Sequence, residues 1–130
     1  MKQYELKFHG YTWDEYFYVI ANKSGILVAY RGGLDCDGAI KIDDIVYVDG
    51  ADELSLVYES RVFKEIRKHL DNCRLFFSYA EMKKDGRDDV VKVLKQSLLP
   101  FCPEESNLPQ IKIICKGYCP LFPKELLQEK

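Results

Sequence analysis

The sequence predicts an α+β fold in which a small, mainly antiparallel β-sheet is flanked by two main helices. Segments of strand length, either apolar or alternating, recur along the chain at 4–8, 26–30, 45–48, 73–80 and 111–114. Two longer segments, 54–70 and 90–98, repeat apolar residues at the spacing of amphipathic helices. The resulting order, three strands followed by helix, strand, helix and strand, is that of an α+β fold.

The first predicted strand covers 4–8, where Tyr4, Leu6 and Phe8 alternate with charged residues. An aromatic cluster between Trp13 and Tyr18 follows, in a stretch that we expect to be short and helical or irregular. Turn residues at 22–25 then introduce the strand 26–30, and the strand 45–48 comes after a moderate loop. A parallel crossover needs a dozen or more residues and usually a helix, so these two strands are predicted to pair antiparallel.

One long helix is predicted from residue 50 to residue 70, with acidic residues in its first turn and basic residues near its end. His69 lies near that end, where it can be an acid–base group, a phosphate contact or a partner of the last helical carbonyls. A strand at 73–80 and a second helix follow, and the helix stops before Pro100. A proline-rich loop that contains Asn107 leads to the last strand. The apolar stripe of the long helix is Leu54, Tyr58, Val62, Ile66 and Leu70, joined by Phe63.

Length and composition limit the class of protein to which the chain can belong. The chain has 130 residues, 47% of them hydrophobic and 31% charged, which predicts a single folded domain over 1–130 and excludes a wholly disordered chain. Its apolar runs are far shorter than the roughly 20 residues of a membrane span, and its first residues lack a hydrophobic signal core. We therefore expect a cytoplasmic protein without a membrane partner.

Charge and cysteine content narrow the function further. The 19 basic residues are offset by 21 acidic ones, so the net charge of −2 argues against tight, nonspecific DNA binding but allows a local basic groove. The odd number of cysteines and the absence of a Cys-x-x-Cys pair predict free thiols rather than a zinc site or a disulfide framework. The five are Cys36, Cys73, Cys102, Cys115 and Cys119.

Two segments carry a family resemblance. Residues 24–32, which read SGILVAYRG, and 45–51, which read IVYVDGA, resemble the two opening strands of the GIY-YIG endonuclease family. The elements that follow, up to the loop ending in Asn107, come in the order of that family. The resemblance covers about 22–107, and it implies a GIY-YIG-like core with an extra N-terminal and an extra C-terminal strand.

The resemblance implies hydrolysis of a DNA phosphodiester with one divalent ion, Mg²⁺ or Mn²⁺, held by a helix glutamate. Tyrosines near the attacking water and an arginine for the phosphate complete the family's site. Carried over by position, Tyr47 is the second-motif tyrosine, Asn107 the asparagine and Asp89, or its neighbour Asp88, the metal ligand. Arg61 lies one turn beyond the position of the family's arginine.

Three other positions of the family's pattern are replaced. Leu27 stands where the first tyrosine belongs, Asp49 where a glycine closes the second motif, and Val57 where the arginine belongs. Loss of a base alone commonly removes ~10²–10⁴ in rate. We therefore expect a non-catalytic or weakly active module that needs Mg²⁺ or Mn²⁺ only if it is active. It would bind nucleic acid, such as DNA, or a protein through the old groove or the aromatic face around Trp13, Tyr16 and Tyr18.

Two alternatives stay open. The first is an active, divalent-metal-dependent DNA endonuclease that uses Tyr47, Arg61, His69 and Asn107 with the metal on Asp89. The second is a structural protein whose partner is another protein, which suits the acidic balance of the chain better than a DNA role does.

Overall fold

The computed structural model describes residues 2–70, 74–99 and 107–117, and it shows an α+β fold. A short 3-10 helix, Asp14–Val19, which we call the tyrosine helix, follows the second strand. None of the helices in these three ranges is long and apolar enough to cross a membrane. The other elements are β1 (Lys2–Phe8), β2 (Thr12–Trp13), β3 (Gly25–Leu34), β4 (Ile40–Ala51), α1 (Leu54–Tyr58), α2 (Arg61–Lys68), β5 (Arg74–Glu81), α3 (Arg87–Leu98) and β6 (Ile111–Gly117).

The strands form one mixed sheet in the order β4-β3-β5-β1-β6, with β2 paired to β5 beside β1. Strand β3 is central and pairs antiparallel with both β4 and β5. Strands β1 and β6 pair in parallel, which is possible because most of the chain lies between them. The predicted α+β fold with a small, mainly antiparallel sheet is confirmed.

Helices cover both faces of the central strands. Val28 and its alternate neighbours pack against Val90 and Leu94 of α3 on one face. Leu27 and Ala29 point to the opposite face, where the tyrosine helix, α1 and α2 form what we call the helical layer. Every residue from Gly25 to Tyr30 is buried as a result, which explains why this strand is a continuous apolar run rather than an alternating one.

The prediction of one long helix over 50–70 is wrong. The chain instead forms α1 and α2, separated at Glu59 and Ser60. The Ser60 hydroxyl accepts a hydrogen bond from the Phe63 backbone N–H at 3.2 Å, so Ser60 is the N-cap of α2. The break turns Val62 outward, where it is 56% exposed instead of lying in the predicted apolar stripe.

Strand β4 begins at Ile40, five residues before its predicted start, because a turn closed by the Asp35 carboxylate lets the β3–β4 hairpin extend. Within β4 the register shifts, so that Tyr47 pairs with Ala29 and Ile45 pairs with Tyr30. The extra residue, Val46, forms a β-bulge. Ile45 consequently packs on the α3 side of the sheet, while Tyr47 packs under the helical layer.

Candidate functional site

Three positions of the GIY-YIG pattern meet beneath the helical layer. Leu27 pairs with Asp49 and Ala29 pairs with Tyr47, which makes Leu27 a diagonal neighbour of Tyr47 on the same face. Val57, from α1, packs into the same apolar cluster. Leu27, Tyr47 and Val57 are only 2%, 9% and 3% exposed. These three positions therefore lie in a packed core and not in an open, polar groove, which the chemistry of the family would need.

The Tyr47 hydroxyl is held at the rim of this cluster. It donates a hydrogen bond to Asp49 Oδ2 at 3.0 Å, and the other Asp49 oxygen accepts from the Gly50 backbone N–H at 2.8 Å. Lys95 reaches across from α3, with its Nζ 3.9 Å from Asp49 Oδ1 and 5.3 Å from the centre of the Tyr47 ring. Burial, and then the charge and hydrogen bond of Asp49, raise the pKa of Tyr47 far above its ordinary value. Tyr47 is consequently a protonated donor at neutral pH.

The next two predicted residues, Arg61 and His69, lie at the two ends of α2. Arg61 is the first residue of the helix and is exposed, while Phe63 of the same helix packs its ring 6.0 Å from that of Tyr47. His69 is the exposed C-cap, and its backbone N–H bonds to the Ile66 carbonyl at 3.0 Å. Among the described residues, neither side chain makes a hydrogen bond or ion pair that would direct it toward Tyr47.

Asp89 lies away from this cluster, and Asn107 makes no described contact with it. Asp89 is in the first turn of α3, which packs on the face of the sheet opposite Tyr47. It precedes the buried Val91 by two residues, or about 200° around the helix, and so projects away from the sheet. Asn107 is exposed at the start of the last described segment. The structure thus places Asp89 on the face of the sheet opposite Tyr47, and no contact among the described residues joins Tyr47 to Arg61, His69 or Asn107.

The donor groups do not fit the Mg²⁺ or Mn²⁺ ion that the resemblance implies. Within 2–70, 74–99 and 107–117, no three His, Cys, Asp or Glu side chains are grouped in a way that could hold a metal ion. Hard divalent ions take several oxygen ligands, and the first turn of α3 carries two acidic residues, Asp88 and Asp89. The described residues therefore support no catalytic step through a metal.

No sequence pattern predicted the polar cluster that fixes the tyrosine helix. Arg67 donates to both oxygens of Asp14, at 2.9 and 3.1 Å, and the Tyr58 hydroxyl donates to Asp14 Oδ1 at 2.8 Å. Phe17 stacks on the Tyr58 ring with centroids 4.0 Å apart. Burial alone would raise the pKa of Asp14, but the hydrogen bonds from Arg67 and Tyr58 outweigh it and lower that pKa. These contacts hold the tyrosine helix firmly against α1 and α2.

The outer side of the tyrosine helix is apolar. Tyr16, Tyr18 and Val19 are 55%, 73% and 59% exposed, and the two tyrosine rings lie 6.4 Å apart. Three large exposed side chains within four residues differ from the scattered apolar residues that ordinary surfaces carry. The aromatic run from Trp13 to Tyr18 is the signal by which the sequence indicated this surface.

A buried arginine, Arg87, ties the start of α3 to the ends of the central strands. It donates to Asp52 at 2.9 Å and to the Ser24 hydroxyl at 3.2 Å. Its side chain also closes over Gly50, where a Cβ atom would lie 3.2 Å from Arg87 Cδ. This contact sets the position of α3, and hence of Lys95, relative to β4.

Comparisons of the chain with protein-family models, with curated proteins and with solved structures found no match. The resemblance of β3 and β4 to the GIY-YIG endonucleases therefore stays a prediction.

Proposed function

We propose that this chain is a non-catalytic binding module on a frame that resembles the GIY-YIG endonucleases. One observation carries the proposal. The positions that correspond to the family's first tyrosine, second tyrosine and arginine are Leu27, Tyr47 and Val57, and all three are packed into one buried cluster. A substrate phosphate has no access to groups that are closed off in this way.

The frame itself supports the resemblance. The glycine-led strand β3 and the tyrosine-bearing strand β4 lie side by side and antiparallel, with β5 on the other side of β3. Helices α1 and α2 follow β4 and return the chain to β5, and α3 follows β5. This is the arrangement on which the predicted kinship depended.

The chemistry of the cluster argues against hydrolysis. Leu27 can neither take up a proton nor donate a hydrogen bond, and Tyr47 keeps its proton because its pKa is raised. Asp49 places a negative charge beside the Tyr47 hydroxyl, and Lys95, with its Nζ 3.9 Å from Asp49 Oδ1, is paired with that charge. Val57 provides no positive charge. The positions Leu27, Tyr47 and Val57 therefore supply neither a base nor a phosphate-binding group.

The exposed side of the tyrosine helix supports a binding role and favours a protein partner at that surface. Tyrosine supplies a large contact area at low entropic cost, and here the backbone is already fixed by the Asp14–Arg67 pair. Glu15, which is exposed in the same helix, adds a negative charge next to Tyr16 in the sequence, which disfavours a phosphate backbone at this surface.

A nuclease assay tests the proposal. We expect the purified chain to leave supercoiled plasmid and branched DNA uncut in the presence of Mg²⁺ or Mn²⁺. The Tyr47→Phe and Asp89→Ala variants should then give the same result as the unchanged chain. Metal-dependent nicking that Asp89→Ala abolishes would overturn the proposal and establish the alternative, a divalent-metal-dependent endonuclease.

A further inference from the structure

The exposed apolar side chains of the described residues are concentrated on the helical layer. The tyrosine helix, α1 and α2 each carry at least one large apolar side chain that is more than half exposed, whereas α3, on the other face of the sheet, carries none. Such a concentration is typical of an interaction surface rather than of ordinary surface. The exposed set of the helical layer is Tyr16, Tyr18, Val19, Leu56 and Val62.

Hydrogen bonds hold the three helices in fixed positions relative to one another. The Ala21 carbonyl, just beyond the tyrosine helix, accepts from the Ser55 backbone N–H of α1 at 2.8 Å. Arg67 of α2 donates to both carboxylate oxygens of Asp14 at 2.9 and 3.1 Å. The layer is therefore already ordered before it meets a partner, which lowers the entropic cost of binding.

Charge is divided unevenly over this layer. Besides the pair of Lys68 with Glu65, α2 carries two exposed cations, Arg61 and Lys64, that make no ion pair within the described part of the chain. The tyrosine helix and the two caps of α1 carry exposed carboxylates that likewise make no ion pair with any described residue. These carboxylates belong to Glu15, Glu53 and Glu59.

We propose that the helical layer is a docking surface for a second copy of this chain. In a two-fold arrangement the tyrosine helix and α1 of each copy lie against α2 of the other, and symmetry repeats the contact. The carboxylates of Glu15 and Glu53 then face Arg61 and Lys64 of the second copy, while the apolar side chains of both copies leave water. The inference rests on the proposed function, which makes this surface a binding surface, and it names the partner.

The size of the surface sets the expected strength of the dimer. The five exposed apolar side chains together present roughly 400 Å². A stable interface buries about 800 Å² on each partner, so the charged groups around the apolar side chains have to supply the remainder. We therefore expect a reversible dimer with a dissociation constant in the micromolar range, at the weak end of specific interfaces.

Sedimentation velocity from about 1 to about 300 μM tests the inference, because this range spans micromolar affinities. We expect the average mass of the unchanged chain to rise toward that of two chains. The acid-reversed variant, Glu15→Lys with Glu53→Lys, and the base-reversed variant, Arg61→Glu with Lys64→Glu, should each associate at least about tenfold more weakly, because like charges then meet. An equimolar mixture of the two variants should regain the unchanged affinity, since both contacts of the two-fold pair are complementary again.

The matched control for charge is Lys41→Glu with Lys92→Glu, which makes the same change as the base-reversed variant at exposed sites of β4 and α3. It should associate like the unchanged chain. The apolar part is tested by Tyr18→Ala, which removes a side chain that is 73% exposed and should weaken association about fivefold or more. Leu34→Ala, at a site in β3 that is 41% exposed and lies outside the helical layer, should leave association unchanged.

Three outcomes would overturn the inference. They are equal weakening in the charge control, a mixture that associates no better than its separate components, and an unchanged chain that stays monomeric throughout the range. The last outcome would leave the surface to a different protein or to residues 118–130 of the same chain. None of the three bears on the proposed loss of catalysis, which the nuclease assay decides separately. Thermal unfolding of each variant verifies that it is folded.

Discussion

Charged residues are arranged differently at the two edges of the sheet. At the β4 edge, Tyr47, Asp49 and Lys95 contact one another, so a hydroxyl, a carboxylate and an ammonium group offset each other over a packed core. At the β6 edge, Lys7 and Lys116 face each other with the same charge. The β4 edge therefore neutralises its charges over a packed core, whereas the β6 edge places two like charges side by side and balances Lys116 with Glu5, whose Oε2 lies 3.3 Å from Lys116 Nζ.

The largest expected change in the free energy of unfolding tests whether the cluster around Val57 at the β4 edge is packed and shielded from solvent. Val57→Arg restores the residue type that the endonuclease pattern requires, but it places an unpaired charge in a site that is 3% exposed. We expect the free energy of unfolding to fall by more than about 3 kcal/mol, measured by denaturant titration. Val62→Arg makes the same change at a site that is 56% exposed and should alter stability by no more than about 0.5 kcal/mol. Equal stability of the two variants would show that the cluster is open.

An intermediate effect concerns the Tyr47–Asp49 contact. Tyr47→Phe removes one hydrogen bond to a charged acceptor, and we expect it to cost about 1 kcal/mol at neutral pH. Because the pKa of Tyr47 is raised in the folded chain, its proton is retained there and lost from the unfolded chain above about pH 10. The stability difference between the unchanged chain and Tyr47→Phe should therefore shrink as the pH rises above 10. A difference that stays constant with pH would contradict the contact.

The smallest effect is expected at the β6 edge and has the opposite sign. Lys7→Gln removes one member of a like-charge pair and should raise the free energy of unfolding by a few tenths of a kcal/mol at low salt. High salt should remove the gain, because exposed charges are screened. Lys92→Gln, on the exposed side of α3, serves as the control and should change nothing measurable. Destabilisation by Lys7→Gln would mean that its charge is balanced within the chain.

Local patterns in the sequence predicted most of the fold. The alternation at 4–8 defined β1, and the short loop before residue 45 required β3 and β4 to pair antiparallel. The helix break escaped prediction because apolar residues continue at helical spacing through Ser60, and only the N-cap hydrogen bond reveals the second start. Strand β6 was predicted, but its parallel partner could not be, since that pairing joins opposite ends of the described chain.

The candidate site was harder to predict for a related reason. The motif located Tyr47, but its contact with Lys95 depends on how α3 crosses β4, which Arg87 determines through long-range hydrogen bonds. Arg61 and Asp89 were assigned by counting along helices, and such counts carry no information about which face of the sheet a helix covers. The pairing of Asp14 with Arg67 likewise joins residues 53 apart, beyond the reach of any periodic pattern.

The pairing of β1 with β6 also bears on the order in which the parts of the sheet assemble. A nascent chain that has emerged only as far as α3 already holds β1 but lacks β6, so the parallel pairing of these two strands does not yet exist. Contacts between such distant residues form late and slowly, because a long loop has to close first. The β1–β6 pairing is thus formed last, after the central strands have been covered by their helices, so the sheet is completed by its most distant pair of strands.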